Sequence, residues 1–338
     1  MVASTAATAT SAKAAAMPAN SAKEAERPPT WKVLVLATRP NTLAASFTPV
    51  LVGFAVASRE LGALDPAPAF RFWVFACLIQ IGTNLHNDYA DFVKGADTDD
   101  RVGQARATQK GWLSPGQTAG LSTAALVAAA SIGASLARRP GCGGWMTFVT
   151  ITSVFNALAY TGGPFPLGYV GLGNVSIGYS GLGDVFVFAY FGLVATLAPY
   201  YLALEEGAPR ACPGALLAAA VAVGCLATAI IVVNNLRDRH TDVRAGKRTL
   251  AVRFGGAAAR AEYLALVLAA YGAVAACVAL RAAPAAWLLP LLSAPLAAKT
   301  TRSVFAEEGA ALNAYVGGTA KLQLLFGLLL TAGVYASG

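Results

Sequence analysis

The sequence predicts an all-α integral membrane protein of about nine transmembrane helices, and three observations carry that prediction. Of its 338 residues, 56% are hydrophobic and 12% are charged, whereas ordinary soluble domains carry about 25% charged residues. Apolar runs near the length a helix needs to cross a bilayer, about 20 residues, recur from end to end. These runs are rich in Ala, Leu, Val and Gly and lack the period-two alternation of a membrane barrel, so their backbone is satisfied as helix.

In chain order the runs cover about 42–58, 70–87, 118–137, 144–160, 184–203, 214–235, 262–280, 285–298 and 319–336. One membrane domain therefore spans 31–338. The charge between the runs sets the topology. Lys94, Arg101, Arg106 and Lys110 follow the second run, and Arg237, Arg239, Arg244, Lys247, Arg248 and Arg253 follow the sixth. Lys299 and Arg302 follow the eighth. The intervening loops hold only Arg59, Arg138 with Arg139, Arg210 and Arg281. By the positive-inside rule the basic loops share the cytoplasmic or stromal face, with the N-terminus on that side. The net charge of +8 is thus read as membrane orientation and not as nucleic-acid binding.

Residues 1–30 are Ala-, Ser- and Thr-rich, with Lys13, Lys23 and Arg27 against Glu24 and Glu26. They lack the apolar core of a secretory signal. A plastid transit segment and a plain disordered tail are the two readings, and with them a plastid or a bacterial inner membrane. Five cysteines (Cys77, Cys142, Cys212, Cys225 and Cys277) show no paired spacing, which supports neither a disulfide frame nor a zinc site.

The second run ends in NLHNDYADFVKGAD (84–97) and the sixth in NNLRDRHTDVRAGKR (234–248). A carboxylate in a membrane helix costs about 2.5–3.5 kcal/mol near its centre, so acids here demand compensation. On a helix turning about 100° per residue, Asn84, Asp88 and Asp91 fall at about 0°, 40° and −20°. Asn234, Asp238 and Asp242 fall at about 0°, 40° and 80°. Each triplet is one stripe, and both stripes end an apolar helix on the basic face. Lone membrane-edge acids usually snorkel or cap, but two matched clusters at one depth suit a diphosphate held by Mg²⁺. That cation keeps an octahedral oxygen shell and takes one or two carboxylates together with phosphate oxygens. Lys94, Arg101, Arg106, Lys247 and Arg248 are candidates to grip phosphate, with positive-inside anchoring as their alternative role. His86 and His240 lie about 200° and 240° round the same wheels, which points to packing and not to metal ligation.

Five stretches then resemble the UbiA superfamily of membrane prenyltransferases, most nearly its branch acting on 1,4-dihydroxy-2-naphthoate. They are TRPNTL (38–43), NLHNDYADFVKGADTDDRVG (84–103), YTGGPFPLGYVGLG (160–173), VVNNLRDRHTDVRAGKRTLAVRFG (232–255) and TAKLQLLFG (319–327). The resemblance implies nine helices around a central cavity, with the diphosphate site at its cytoplasmic mouth. It maps the first acidic motif onto Asn84, Asp88 and Asp91, and the second onto Asp238 and Asp242. Four aspartates (Asp88, Asp91, Asp238 and Asp242) would hold Mg²⁺ and the diphosphate, with Asn84 orienting the first cluster. Tyr160 would offer its ring face to an allylic cation, or else anchor at the interface.

The chain also departs from the family pattern. Phe92 stands where wider acidic spacing has a carboxylate, Gln104 stands where relatives often have Pro, and Asp97 lies farther into the loop. GYVGLG (168–173) returns as GYSGLG (178–183), which leaves the family position open between Tyr169 and Tyr179. The expected reaction is Mg²⁺-dependent transfer of a prenyl chain from its diphosphate to 1,4-dihydroxy-2-naphthoate, with loss of the ring carboxylate, in quinone biosynthesis. Sister enzymes acting on 4-hydroxybenzoate or homogentisate are the alternatives, and a transporter with acidic pathway residues is the alternative class. The donor is expected to be polyprenyl, although phytyl is also compatible with the motifs.

Overall fold

The computed structural model describes residues 28–97, 102–205, 207 and 211–336. Among these there is helix and no strand. A short α1 (Thr30–Thr38) precedes α2 (Ala44–Leu61), α3 (Ala67–Val93), α4 (Pro115–Ala137) and α5 (Gly143–Ala159). Then come α6 (Gly183–Ala203), α7 (Gly214–Arg244), α8 (Leu250–Ala279), α9 (Ala294–Ala306) and α10 (Asn313–Tyr335). Each of the nine expected runs falls, to within two residues at its ends, inside one of α2 to α10, counting the 3₁₀ segment Ala285–Ser293 that leads into α9.

Among the described residues, five helical stretches are long and apolar enough to cross a membrane: Pro115–Ala137, Gly183–Ala203, Gly214–Arg244, Leu250–Ala279 and Gly309–Tyr335. The expected number was about nine. The other runs fall short for visible reasons. Helix α2 ends in charge at Arg59 and Glu60, α3 carries polar residues along its second half, and α5 has 17 residues. The eighth run changes from 3₁₀ to α after Pro290.

Local signals explain the boundaries. Helix α4 starts at a capping box in which Gln117 N–H donates to Ser114 Oγ at 3.2 Å and Ser114 N–H to Gln117 Oε1 at 2.9 Å. With Pro115 at its first position, this satisfies amides that would otherwise lack partners. Helix α8 starts earlier than its apolar run because Thr249 caps a short first segment, accepting from Val252 N–H at 3.3 Å, and the chain breaks at Gly255 (φ 84°, ψ 174°) before the helix continues through the run. The acidic stretches continue their helices instead of forming loops, so the angular stripes are physically present.

Helix α7 is the axis of the bundle. Some 78% of its apolar window is buried against protein, compared with 28% in α4 and in α8. That difference separates a central helix from outer ones that show an apolar face to lipid. Helices α2, α6, α8 and α10 surround α7. Small residues permit the closest approach: a Cβ added to Gly192 of α6 would stand 2.6 Å from the Gly224 Cα of α7. In a bilayer such close contact supplies packing energy where the hydrophobic effect is weak. Gly224→Leu is expected to destabilise the bundle by about 1–3 kcal/mol through overpacking, measurable as a lower melting temperature in detergent.

Candidate active site

Helices α3, α5 and α7 all end at one face of the bundle, and α6 and α10 begin there. A cavity of about 290 Å³ opens between them. Its deep wall is apolar, with Phe72, Phe75 and Ile79 from α3 and Ala227 and Ile230 from α7. Residues 188–194 of α6 form a π-helical stretch, a local widening often found at functional positions. That stretch and its flanks turn Phe186, Tyr190, Phe191 and Val194 towards the cavity. The mouth is polar.

The second acidic stripe lines the cavity as the wheel anticipates: Asn234, Asp238 and Asp242 all face it. Arg237 closes on its neighbour Asp238 through Nε at 2.8 Å and through a second nitrogen, and also donates to Asn234 at 2.7 Å and Asn313 at 2.9 Å. The first stripe is arranged differently. Asn84 and Asn87 line the cavity, whereas Asp88 and Asp91 are 2% and 0% exposed, behind the guanidiniums of Arg39 and Arg106. Arg39 pairs with Asp88. Arg106 lies 2.7 Å from both Asp91 and Asp97, and 3.3 Å from Asp88. Burial opposes its charge, but those carboxylates hold the Arg106 guanidinium protonated well beyond its ordinary range.

One ammonium joins the two stripes. Lys247 Nζ stands 3.4 Å from Asp91 and 3.4 Å from Asp242, so clusters far apart in sequence meet at one point. Lys94, just beyond α3, donates to the Thr161 carbonyl. Burial pulls its ammonium below the usual lysine value, Asp91 opposes that, and Lys247 adds to it. Tyr160, at the end of α5, lines the cavity.

Three expected contacts take another form. Asn84 donates to the Thr38 carbonyl at 3.3 Å and not to a carboxylate. Asn87 does the orienting, donating to Asp91 at 3.2 Å and Thr161 Oγ1 at 2.8 Å while accepting from Arg39 and Arg106. Its signal was present, because Asn87 lies about 40° from Asp91 on the same wheel. Arg248 is exposed, and its backbone N–H reaches the site region by donating to the Tyr179 carbonyl at 2.8 Å. Arg106 is committed to three carboxylates, so it organises the first cluster. Arg101 lies outside the described residues.

The turn after Tyr160 is clamped to α3 by His86 against the Gly162 carbonyl at 2.9 Å, by Asn87 and by Lys94. Gly162 adopts φ +68°, and an added Cβ would meet the Val175 carbonyl oxygen at 2.1 Å, so no side chain fits there. His86 is therefore a buried strut, and His240 is exposed. His240→Asn is expected to leave turnover unchanged. His86→Asn should reduce it by no more than about tenfold, the value of one hydrogen bond. Initial rates on purified protein check both.

Arg39, Asn87, Tyr179 and Arg237 are the site residues that the stripes did not single out. Of the two copies of the motif, the second brings its tyrosine, Tyr179, to the cavity. Its hydroxyl donates to Asp91 at 2.7 Å, whereas Tyr169 is 84% exposed. Burial, then the Asp91 charge, pushes the Tyr179 phenol up and keeps it neutral.

Among the described residues, no three Asp, Glu, His or Cys side chains group as a ready metal cluster. Basic side chains neutralise the carboxylates instead. The donor chemistry nevertheless suits a hard divalent cation: aspartates and asparagine carbonyls from two helices, at one mouth, with no soft ligand among them.

Residues 46–325 match the UbiA prenyltransferase family. The 1,4-dihydroxy-2-naphthoate octaprenyltransferase of Escherichia coli (strain K12) is 34% identical over 309 residues, covering 88% of this chain and 94% of that protein. The Mycobacterium tuberculosis protein of the same name is 35% identical, over 90% of this chain and 97% of its own. The solved structure of a UbiA homolog from Archaeoglobus fulgidus bound to DMAPP and Mg²⁺ superposes with a TM-score of 0.54 at 15% identity, over 88% of this chain and 99% of that one. An all-helical bundle with its acidic helix ends gathered over one apolar cavity, together with these matches, places the chain in the UbiA prenyltransferase family.

Proposed function

We propose that the protein transfers a polyprenyl chain from its diphosphate to 1,4-dihydroxy-2-naphthoate, with loss of the ring carboxylate, to give a demethylmenaquinol-type product. The observation that carries this reading is the meeting of the two acidic helix ends, α3 and α7, across Lys247 above an apolar cavity. The names of the similar E. coli and M. tuberculosis proteins support the acceptor. In the same reading the chain crosses its membrane nine times, with the mouth on the basic, cytoplasmic or stromal side.

Asp88, Asp91, Asp238 and Asp242 would hold Mg²⁺, with Asp88 and Asp91 exchanging part of their pairing with Arg39 and Arg106 for the metal; a fold relative solved with DMAPP and Mg²⁺ supports this reading. When bound there, the metal would supply Lewis-acid stabilisation of the departing diphosphate. Lys94 and Lys247 place ammonium groups on phosphate oxygens. Arg39, Arg106 and Arg237 hold the carboxylates in place, a preorganisation that costs nothing at the moment of reaction. The bond between prenyl carbon 1 and oxygen breaks, and the diphosphate leaves with the electron pair. Apolar walls exclude water from the allylic cation, and Tyr160 and Tyr190 present aromatic rings to it. The electron-rich naphthoate ring forms the new carbon–carbon bond, and the carboxylate departs as carbon dioxide, returning its electrons to the ring.

Purified protein in detergent, given Mg²⁺, polyprenyl diphosphate and dihydroxynaphthoate, is expected to release pyrophosphate and a decarboxylated quinol identified by mass spectrometry. Product from 4-hydroxybenzoate but none from dihydroxynaphthoate would overturn the acceptor assignment.

A further inference from the structure

The two near-identical hexapeptides, GYVGLG (168–173) and GYSGLG (178–183), differ in what the fold does with them. The first tyrosine stands at the surface, 84% exposed. The second lines the cavity, and two ammonium groups lie over its ring: Lys94 Nζ at 4.8 Å and Lys247 Nζ at 5.1 Å from the centroid. Its hydroxyl holds Asp91 at 2.7 Å. Its backbone is pinned from the α7–α8 loop and the start of α8, because its carbonyl accepts from Arg248 N–H at 2.8 Å and the next carbonyl, of Ser180, accepts from Arg253 at 2.6 Å. A helix end on each side of the mouth is thus tied to one aromatic ring.

Two ammonium groups brought to one ring repel each other, so something must keep them there. Asp91 and Asp242 hold Lys247 at 3.4 Å each and the Thr161 carbonyl accepts from Lys94, so part of each ammonium's donor capacity is already taken, in competition with an incoming phosphate. An aromatic face attracts cations through its quadrupole without accepting those hydrogen bonds. The ring therefore gathers positive charge without taking any of the N–H donors of each ammonium that Asp91, Asp242 and the Thr161 carbonyl leave over for an anion.

Building on the prenyl diphosphate reading above, we propose that Tyr179 is a positioning residue for the diphosphate. Its ring sets Lys94 and Lys247 side by side at the mouth, and its hydroxyl keeps Asp91 in register with them. The exposed Tyr169 has no part in this, so the duplication supplies a control within the same chain.

The test uses the full-length protein in detergent with Mg²⁺, inorganic pyrophosphate as the probe, and calorimetry as the readout. Tyr179→Leu is expected to bind pyrophosphate about tenfold more weakly, the scale of a desolvated cation–π contact. It should also raise the KM for prenyl diphosphate more than it lowers kcat. Tyr179→Phe keeps the ring and should retain most of the affinity, and Tyr169→Leu should match wild type. Lys94→Met removes one ammonium, so adding Tyr179→Leu to it should cost less than Tyr179→Leu alone, as coupled residues do. Wild-type affinity in Tyr179→Leu, an equal loss in Tyr179→Phe, or additive losses in the double variant would each overturn the assignment. Absence of pyrophosphate binding in the wild type would instead overturn the donor reading itself, before any variant is compared.

Discussion

Asp238→Asn is expected to abolish prenyl transfer, by about a thousandfold or more, in a protein that still folds and inserts. Asp238 lines the cavity and takes two guanidinium nitrogens of Arg237. Removing one fixed charge that stabilises a developing anion costs about 10²–10³-fold in well-studied sites, and loss of a proposed metal ligand adds to this. The asparagine keeps the shape and an acceptor for Arg237, which also retains Asn234 and Asn313. Asp238→Ala and Asp88→Ala should be equally inactive, but each leaves a guanidinium facing a void. The asparagine variant therefore separates chemistry from folding. Pyrophosphate release and melting temperature, measured together, check this. Near-normal turnover in Asp238→Asn would refute the assignment of the aspartates.

Arg106→Met should damage the protein more broadly. Arg106 is 4% exposed and lies within 3.3 Å of Asp88, Asp91 and Asp97. It also donates to the Asn87 side chain. Its loss leaves three buried carboxylates with reduced compensation, and breaking a buried pair from one side costs about 3–5 kcal/mol. The expected result is a strongly lowered melting temperature together with lost activity. Arg106→Lys restores charge but not the fork that reaches several partners at once, so it should recover stability in part and turnover little. Were Arg106 a simple phosphate grip, the methionine variant would instead keep its stability and show only a raised KM for the donor.

Much of the fold was legible because helix period and helix ends are local properties. A 3.6-residue repeat decides which side chains share a face whatever the neighbours do, so each apolar run falls on a helix and Asn234, Asp238 and Asp242 line one wall together. The same logic removed His86 and His240 from the carboxylate stripes. The same wheel sets Asn87 beside Asp91, about 40° away.

What the sequence alone determined was the helical membrane class, the two acidic helix ends and the family wording around them, since each is written in residues near one another along the chain. Tertiary structure decided the rest. It chose Tyr179 over Tyr169, withdrew Asp88 and Asp91 behind Arg39 and Arg106, spent Arg106 on three carboxylates, and let Lys247 bridge α3 to α7. Those outcomes depend on which distant groups the packing brings within a few ångströms. Buried charges select partners by proximity and geometry in a medium where an unpaired one is costly, and sequence spacing carries no record of that proximity.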